Sequence, residues 1–329
     1  MKLLRILART LLVLFVLLNG VLAFHAYRFT YFYETAEVPY RKPEDIPTSE
    51  RIQQVLFGFR FGKRPNLEFP EKPFQTVWLT NPDGQRLEAW ATQTPNPKGT
   101  LVLFHGHASC KSKVLAEQAY FRSLGFNTLA VDFRAHGGSE GNVTTIGYRE
   151  AGDVKAAYDY ARAQGGPVQG GPNVVLWGVS MGAASILSAL HEYPELHPSR
   201  VMLECPFGSM QAAVEGRLRT MGLPTAVLSP VLIFWGSVER GMWGFGYQPS
   251  DYAKTVHCPV LLNRGMQDKR VLRPETEAIF ANLGTKNKKL VVFENSGHQS
   301  FCQNEAQKWK AEVAAFLNVP EPTLALGKQ

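Results

Sequence analysis

Cysteine is scarce in this chain: four residues in 329, at Cys110, Cys205, Cys258 and Cys302. No two of them form a C-x-x-C pair, which argues against a zinc ribbon or a thioredoxin-type redox site. An even count permits disulfides outside the cytosol, with three pairings open, and buried free thiols are the equal alternative. Dense blocks of one charge are missing too. The formal net charge is +7, yet past the N-terminus the densest basic run is only Lys286, Lys288 and Lys289, which reads as a solvated turn between two elements. No signature of a nucleic-acid module is present, so nucleic acid is not an expected partner. The basic balance is compatible with a nearby anionic membrane surface. Nor is the chain poor in aromatic residues, as disordered chains are. It has 20 Phe, 11 Tyr and 6 Trp within a composition that is 45% hydrophobic and 19% charged, enough for a sizeable core.

What the chain does have, at its start, is a long apolar run. Lys2, Arg5 and Arg9 precede an apolar run from Leu11 to Phe24, interrupted only by Asn19 and Gly20. With Leu3, Leu4, Ile6 and Leu7 the segment extends to 22 residues from Leu3 to Phe24, with two arginines near its end. About 20 apolar residues suffice to cross a bilayer, and arginines near a helix end can snorkel to the head groups. Phe24, Tyr27, Phe29, Tyr31, Phe32 and Tyr33 follow directly and suit a membrane–water interface. The expectation is an uncleaved signal-anchor over residues 1–33, with the N-terminus cytoplasmic and the rest extracytoplasmic. A cleaved secretory signal, with Val21 and Ala23 before the cleavage point, is the alternative. Residues 34–73 hold six prolines and read as a linker and lead-in, with a short helix around Glu50 to Gly58.

From residue 74 the pattern becomes regular. Thr76–Thr80 and Leu87–Thr92 alternate like two strands joined by the turn Asn81-Pro82-Asp83-Gly84. Short apolar runs at 101–104, 128–131, 174–177, 201–203, 260–262 and 290–293 alternate with helix-like stretches, among them 113–124, 147–163 and 183–191. This predicts an α/β fold with a mostly parallel sheet of about eight strands, covered by helices on both faces. In such sheets ligands bind beyond the carboxyl ends of the strands.

The sequence motifs sit at those ends. Gly178-Val179-Ser180-Met181-Gly182 is a G-x-S-x-G directly after one strand and directly before a helix. A serine forced into so tight a turn leaves no room for side chains two residues to either side, hence the glycines. A helix merely capped by Ser180 would account for the serine but not for both glycines. His298 follows the last strand on a loop, where its imidazole can swing toward the serine as a base. Asp268 follows the preceding strand and can accept from the second ring nitrogen, fixing the tautomer. Asp251 and Glu294 are rival acids less well placed after a strand. His105-Gly106-His107 follows the strand that ends at Phe104. The backbone N–H groups of His107 and Met181 are the candidate oxyanion donors. Two histidines one residue apart also raise a metal site, but no further ligand follows at short spacing, so no metal is expected.

Together His105-Gly106, Asp132-Phe133-Arg134-Ala135-His136-Gly137-Gly138-Ser139, Gly178 to Gly182, Asp268 and Gly297-His298 resemble the α/β-hydrolase superfamily. The nearer resemblance is to its branch of small esterases, monoacylglycerol-lipase-like and serine-aminopeptidase-like proteins. It covers about residues 74–318 and rests on the order and spacing of all the motifs. It implies a D-x-R-x-x-G-x-S loop that braces the turn beside the site, with Ala135 where that loop often has glycine. Asn263-Arg264-Gly265 departs from a common His-Gly without touching the triad. The resemblance also implies that the aromatic-rich stretch 206–257 is a cap over the substrate, although most of its apolar residues are expected simply to pack on the sheet. Residues 319–329 read as a tail.

The expected function is a membrane-anchored serine hydrolase that cleaves carboxylic esters, lipid esters and thioesters included, without metal or organic cofactor. A small-molecule or lipid-like ester is the expected substrate. A peptidase or amidase using the same triad is one alternative, although it needs an acidic group to recognise an amino terminus. A non-catalytic membrane-tethered binding protein is another, and a missing triad member would favour it. None is missing.

Overall fold

The computed structural model describes residues 1–34, 47–58, 60–71, 73–164 and 173–321. Residues 35–46 of the expected linker and 322–329 of the expected tail lie outside the described residues. The chain opens with helix α1 (Lys2–Thr30), the one described helix long and apolar enough to cross a membrane. A short strand β1 (Phe32–Tyr33), helix α2 (Thr48–Phe57) and strand β2 (Phe61–Gly62) follow, with β1 and β2 paired in parallel.

The central sheet begins with β3 (Gln75–Thr80) and β4 (Arg86–Thr92), an antiparallel hairpin over the expected turn. Then come β5 (Thr100–Phe104), α3 (Leu115–Ser123), β6 (Asn127–Val131), α4 (Glu150–Gln164), β7 (Val174–Val179), α5 (Met181–Glu192) and β8 (Arg200–Glu204). Helices α6 (Met210–Thr220) and α7 (Thr225–Arg240) and the short α8 (Pro249–Tyr252) intervene. The chain then returns through β9 (Val260–Gly265), α9 (Arg273–Asn282), β10 (Lys288–Phe293), α10 (Phe301–Asn304) and α11 (Ala306–Leu317). Eight strands form one sheet in the order β10-β9-β8-β7-β5-β6-β4-β3, parallel throughout except where β4 meets its two neighbours. The α/β architecture expected from the alternating runs is thus the one observed, with strand ends within a few residues of expectation.

The central strands are buried on both faces, as their unbroken apolar runs require. One core layer unites Val102, Phe104 and Leu176 with α4 and α5, and the opposite layer unites Leu101, Leu103 and Trp177 with Trp309 and Phe121. All four cysteines are free thiols.

The aromatic cluster after the apolar run divides its work in a way that was not foreseen. Phe24 and Tyr27 face outward, but Phe32 is 1% exposed and joins Ala108 and Ala135 in a small core of its own. Backbone bonds Phe32 N–H to Asn142 O (2.7 Å) and Thr144 N–H to Thr30 O (3.0 Å) tie this segment to the globular body. α1 itself packs along α7, with Leu22, Ala26 and Thr30 buried on one stripe at a spacing of four.

Candidate active site

β7 delivers Ser180 into a turn with φ 54° and ψ −114°, outside the comfortable range for a side-chain-bearing residue. The turn is held closed by Ser180 N–H donating to Glu204 O at 2.7 Å. The glycines on either side are sterically required. A Cβ at Gly178 would stand 2.7 Å from the carbonyl carbon of Gly182, and one at Gly182 only 2.4 Å from Phe104 O. Met181 opens α5, so the hydroxyl of Ser180 lies at a helix N-terminus, where the aligned peptide dipoles favour negative charge.

The structure brings the three residues of the expected triad together. His298 Nε2 lies 2.9 Å from Ser180 Oγ, and His298 Nδ1 lies 2.8 Å from Asp268 Oδ2. The other carboxylate oxygen of Asp268 accepts from the backbone N–H of Arg270 (2.8 Å) and Val271 (3.0 Å). Burial alone would raise the pKa of Asp268. The His298 ring and these N–H donors more than offset it and hold the carboxyl below its ordinary value. An imidazole so held presents a lone pair to the serine hydroxyl and can take its proton as Oγ attacks a carbonyl. The rival acids lie elsewhere: Asp251 is exposed and bonded to Lys254 (2.6 Å), and Glu294 to Lys308 (2.7 Å).

The loop after β5 abuts the serine. A Cβ on Gly106 would stand 3.5 Å from Ser180 Cβ, and His107 and Met181 line the same cavity of about 250 Å³ as Ser180 and His298. The histidine pair is occupied in other ways than metal binding. His105 Nε2 accepts from Phe133 N–H (3.2 Å) while its Nδ1 faces Gly106 O (2.7 Å). Burial pulls the pKa of His105 down to about 3, so its ring is neutral. The His107 ring stacks on Phe29 of α1, with centroids 5.0 Å apart, and burial holds it well below its ordinary pKa. Cys205 Sγ lies near the carboxylate of Asp268 and the ring of His298. Burial, with Asp268 beside it, pushes this thiol well above its ordinary pKa, which disfavours the thiolate a metal ion would need.

The expected bracing loop is built around two buried ion pairs, Asp132 with Lys111 and Arg134 with Asp153. Asp132 accepts from Lys111 N–H (2.6 Å), Asn66 (2.7 Å) and Gly138 N–H (2.9 Å), and pairs with the fully buried Lys111 ammonium. Arg134 clamps Asp153 through Nε and a terminal nitrogen at 3.0 and 2.7 Å. His136 then passes this rigidity to the site, because its Nε2 accepts from Ala108 N–H at 3.2 Å. Ala135 stands at φ 63°, the left-handed conformation for which glycine is the usual choice.

Two acids beside the serine were not singled out from the sequence. Glu204, at the end of β8, accepts from Trp309 Nε1 (2.6 Å) and Trp177 Nε1 (3.0 Å), and burial pushes its pKa up to about 7. Glu117 on α3 is likewise buried, with its pKa raised for that reason, and accepts from Ser300 Oγ (2.5 Å). Both line the cavity of Ser180.

Comparison with known proteins fits this architecture. The sequence pattern of the prolyl oligopeptidase family matches residues 112–319. The chain is similar to the uncharacterized protein YqkD of Bacillus subtilis (strain 168), 24% identical over 68% of this chain and 72% of that one. It is also similar to YfhR of Escherichia coli (strain K12), 21% identical over 74% and 80% respectively. Among solved structures, the Pyrococcus furiosus esterase Pf2001 superposes with a TM-score of 0.61 at 22% identity, covering 88% of this chain and 98% of that one. An esterase from Exiguobacterium antarcticum gives 0.56 at 17% identity, covering 74% and 100%. Likeness at these identities concerns the fold. On the pattern match, the chain belongs to the prolyl oligopeptidase family, within the α/β-hydrolase superfamily.

Proposed function

We propose that the protein is a membrane-anchored serine hydrolase that cleaves carboxylic esters. The observation that carries this reading is the continuous relay from Asp268 through His298 to Ser180, at 2.8 and 2.9 Å, inside a cavity beyond the carboxyl ends of the strands. Ser180 Oγ attacks the ester carbonyl while His298 takes its proton. The tetrahedral oxyanion is held by the N–H groups of His107 and Met181. The C–O bond to the leaving alcohol breaks, and His298 returns the proton to the departing oxygen. Water, deprotonated by His298, then attacks the acyl-enzyme, and the carboxylic acid leaves as Ser180 regains its proton. In this reading residues 74–318 are the catalytic unit, residues 206–257 its cap, and α1 its anchor.

A peptidase reading is favoured by the match to the prolyl oligopeptidase family and by the acids Glu117 and Glu204 in the Ser180 cavity. Burial raises the pKa of both acids, however, and so disfavours the charge an amino terminus would pair with. The lining supports esters better: Phe29, Phe61, Ile146, Phe207, Val214 and Val271 surround the serine with apolar surface. The decisive measurement is labelling of the full chain by a fluorophosphonate, with Ser180→Ala alongside. Wild-type labelling that vanishes in the variant is expected, with ester hydrolysis falling on the order of 10⁴-fold or more. A folded wild type that takes no label would sink the assignment. Hydrolysis of peptide amides in preference to esters would move it to the peptidase reading.

A further inference from the structure

A second cavity, of about 230 Å³, lies between α1 and the cap helices α6 and α7. Val21, Leu22, Ala26 and Phe29 of α1 form one side of it, and Leu232 and Ile233 of α7 belong to the other. Its lining is apolar except for His25, Thr30 and Arg217. Such a space selects for hydrocarbon. It also adjoins the chemistry, because Phe29, Ile146, Val214 and Arg217 line both this cavity and the one that holds Ser180.

The outer surface of the same two helices indicates where the hydrocarbon comes from. On α1 the apolar residues before the cavity are exposed, Leu11, Phe15 and Leu18 among them, and the cavity begins at Val21. On α7, Val227, Phe234 and Val238 are exposed at 66%, 49% and 59%, an apolar stripe at helical spacing. Two polar side chains of α7 bond directly to α1. Trp235 Nε1 donates to Asn19 Oδ1 at 3.1 Å, and Arg240 Nε to Thr30 Oγ1 at 2.7 Å. An asparagine within an apolar span, bonded across to a neighbouring helix, is the arrangement used to join helices in lipid. The apolar face of α7 therefore continues that of α1.

We propose that the cavity between α1 and α7 takes the acyl chain of an ester lipid arriving laterally from the bilayer. The chain's carbonyl end reaches Ser180 across the wall that the two cavities share. The proposal rests on the serine-hydrolase reading and names its substrate class. α1 then serves as a wall of the substrate site as well as an anchor.

Gly236 provides the test. It is buried in α7 and lines the cavity, and a Cβ there would meet nothing within 4 Å, so Gly236→Phe starts its side chain in open space at the cavity wall. Val21→Trp fills it from the α1 side at a position already 48% exposed, which keeps folding out of the comparison. The measurement uses full-length protein in phosphatidylcholine vesicles, with kcat/KM taken for p-nitrophenyl palmitate and acetate. Each methylene shut out of an apolar site costs about fourfold, so losing three or more lowers the palmitate-to-acetate ratio at least about sixtyfold. Both variants are expected to show this fall. A ratio unchanged in Val21→Trp while fluorophosphonate still labels the wild type overturns the cavity proposal alone. A wild type that neither labels nor cleaves either ester overturns the serine-hydrolase reading and this proposal with it. A loss seen for detergent-dispersed palmitate but not for the vesicle-borne ester overturns lateral delivery.

Discussion

Glu204 and Ser180 differ in what their surroundings in the sequence disclose. Ser180 carries its own context, a strand before it, a helix after it and a glycine at each side, and His298 and Asp268 each follow a strand. Those three were legible from local sequence. Glu204 was not, because what buries it comes from afar: Trp309, which donates to it, lies 105 residues along the chain. Its second oxygen is buried with no hydrogen-bond partner among the described residues. The consequence for stability has a definite sign. The folded pKa is about 7, against about 4.3 for an unperturbed glutamate. Between those values the folded protein keeps a proton that the unfolded chain has released. Stability therefore falls as pH rises through that window and levels off above it, by on the order of 3 kcal/mol in all. Glu204→Gln keeps an acceptor for the indoles but has no proton to lose. Denaturant unfolding at pH 5 and pH 8 is expected to show a smaller drop for the variant than for the wild type, and parallel drops would contradict the argument.

At the scale of elements, the strands were easy to find because doubly buried strands are short unbroken apolar runs, and each falls near its expected place. Two parts were hidden. Lys111, in the turn before α3, looked like one lysine among many. Its side chain is fully buried, with the ammonium on Asp132 (2.5 Å) and Glu88 (2.8 Å) and 4.4 Å from the Trp90 ring centroid. The bracing loop thus depends on a cation supplied from another segment, at no fixed spacing from the D-x-R motif. Removing one partner of a buried ion pair strands the other charge, at a cost of about 3–5 kcal/mol. Lys111→Met is therefore expected to lower stability by that amount in denaturant unfolding. Lys111→Met with Asp132→Asn should recover part of the loss, and a single variant as stable as wild type would count against the loop as a brace. Helix α7 was hidden for another reason. Its stretch carries Pro230 within it and apolar residues on the outward face as well as the inward one, so no polar side marks the helical period. A helix that carries apolar residues on its outward face as well as its inward one does not show the amphipathic signature of a helix facing water.

For the molecule as a whole, the question is whether α1 is a detachable leader or a part of the fold. Charge and hydropathy alone leave a signal-anchor and a cleaved signal open, since both begin with a positive head and an apolar run. The packing of α1 bears on the choice, and we propose from it that α1 is retained. Cleavage after Ala23 would remove Leu22, which is 7% exposed, and Asn19, which accepts from Trp235. It would also take Val21 and Leu22 from the cavity wall. The stub from Phe24 to Tyr33 would remain, with Phe29 on the ring of His107 and Phe32 in its own small core. The face of α7 now covered by α1 would be laid open beside an already exposed apolar stripe, the kind of patch that drives aggregation unless something covers it. An uncleaved α1 is the arrangement in which each of these contacts survives. The mature protein, isolated from membranes, is accordingly expected to retain α1, with an intact mass that includes residues 2–23 and resistance to extraction by high salt. A mature chain starting near Phe24 and recovered in the soluble fraction would show that these contacts are dispensable, and would remove the basis for α1 as both anchor and wall of the site.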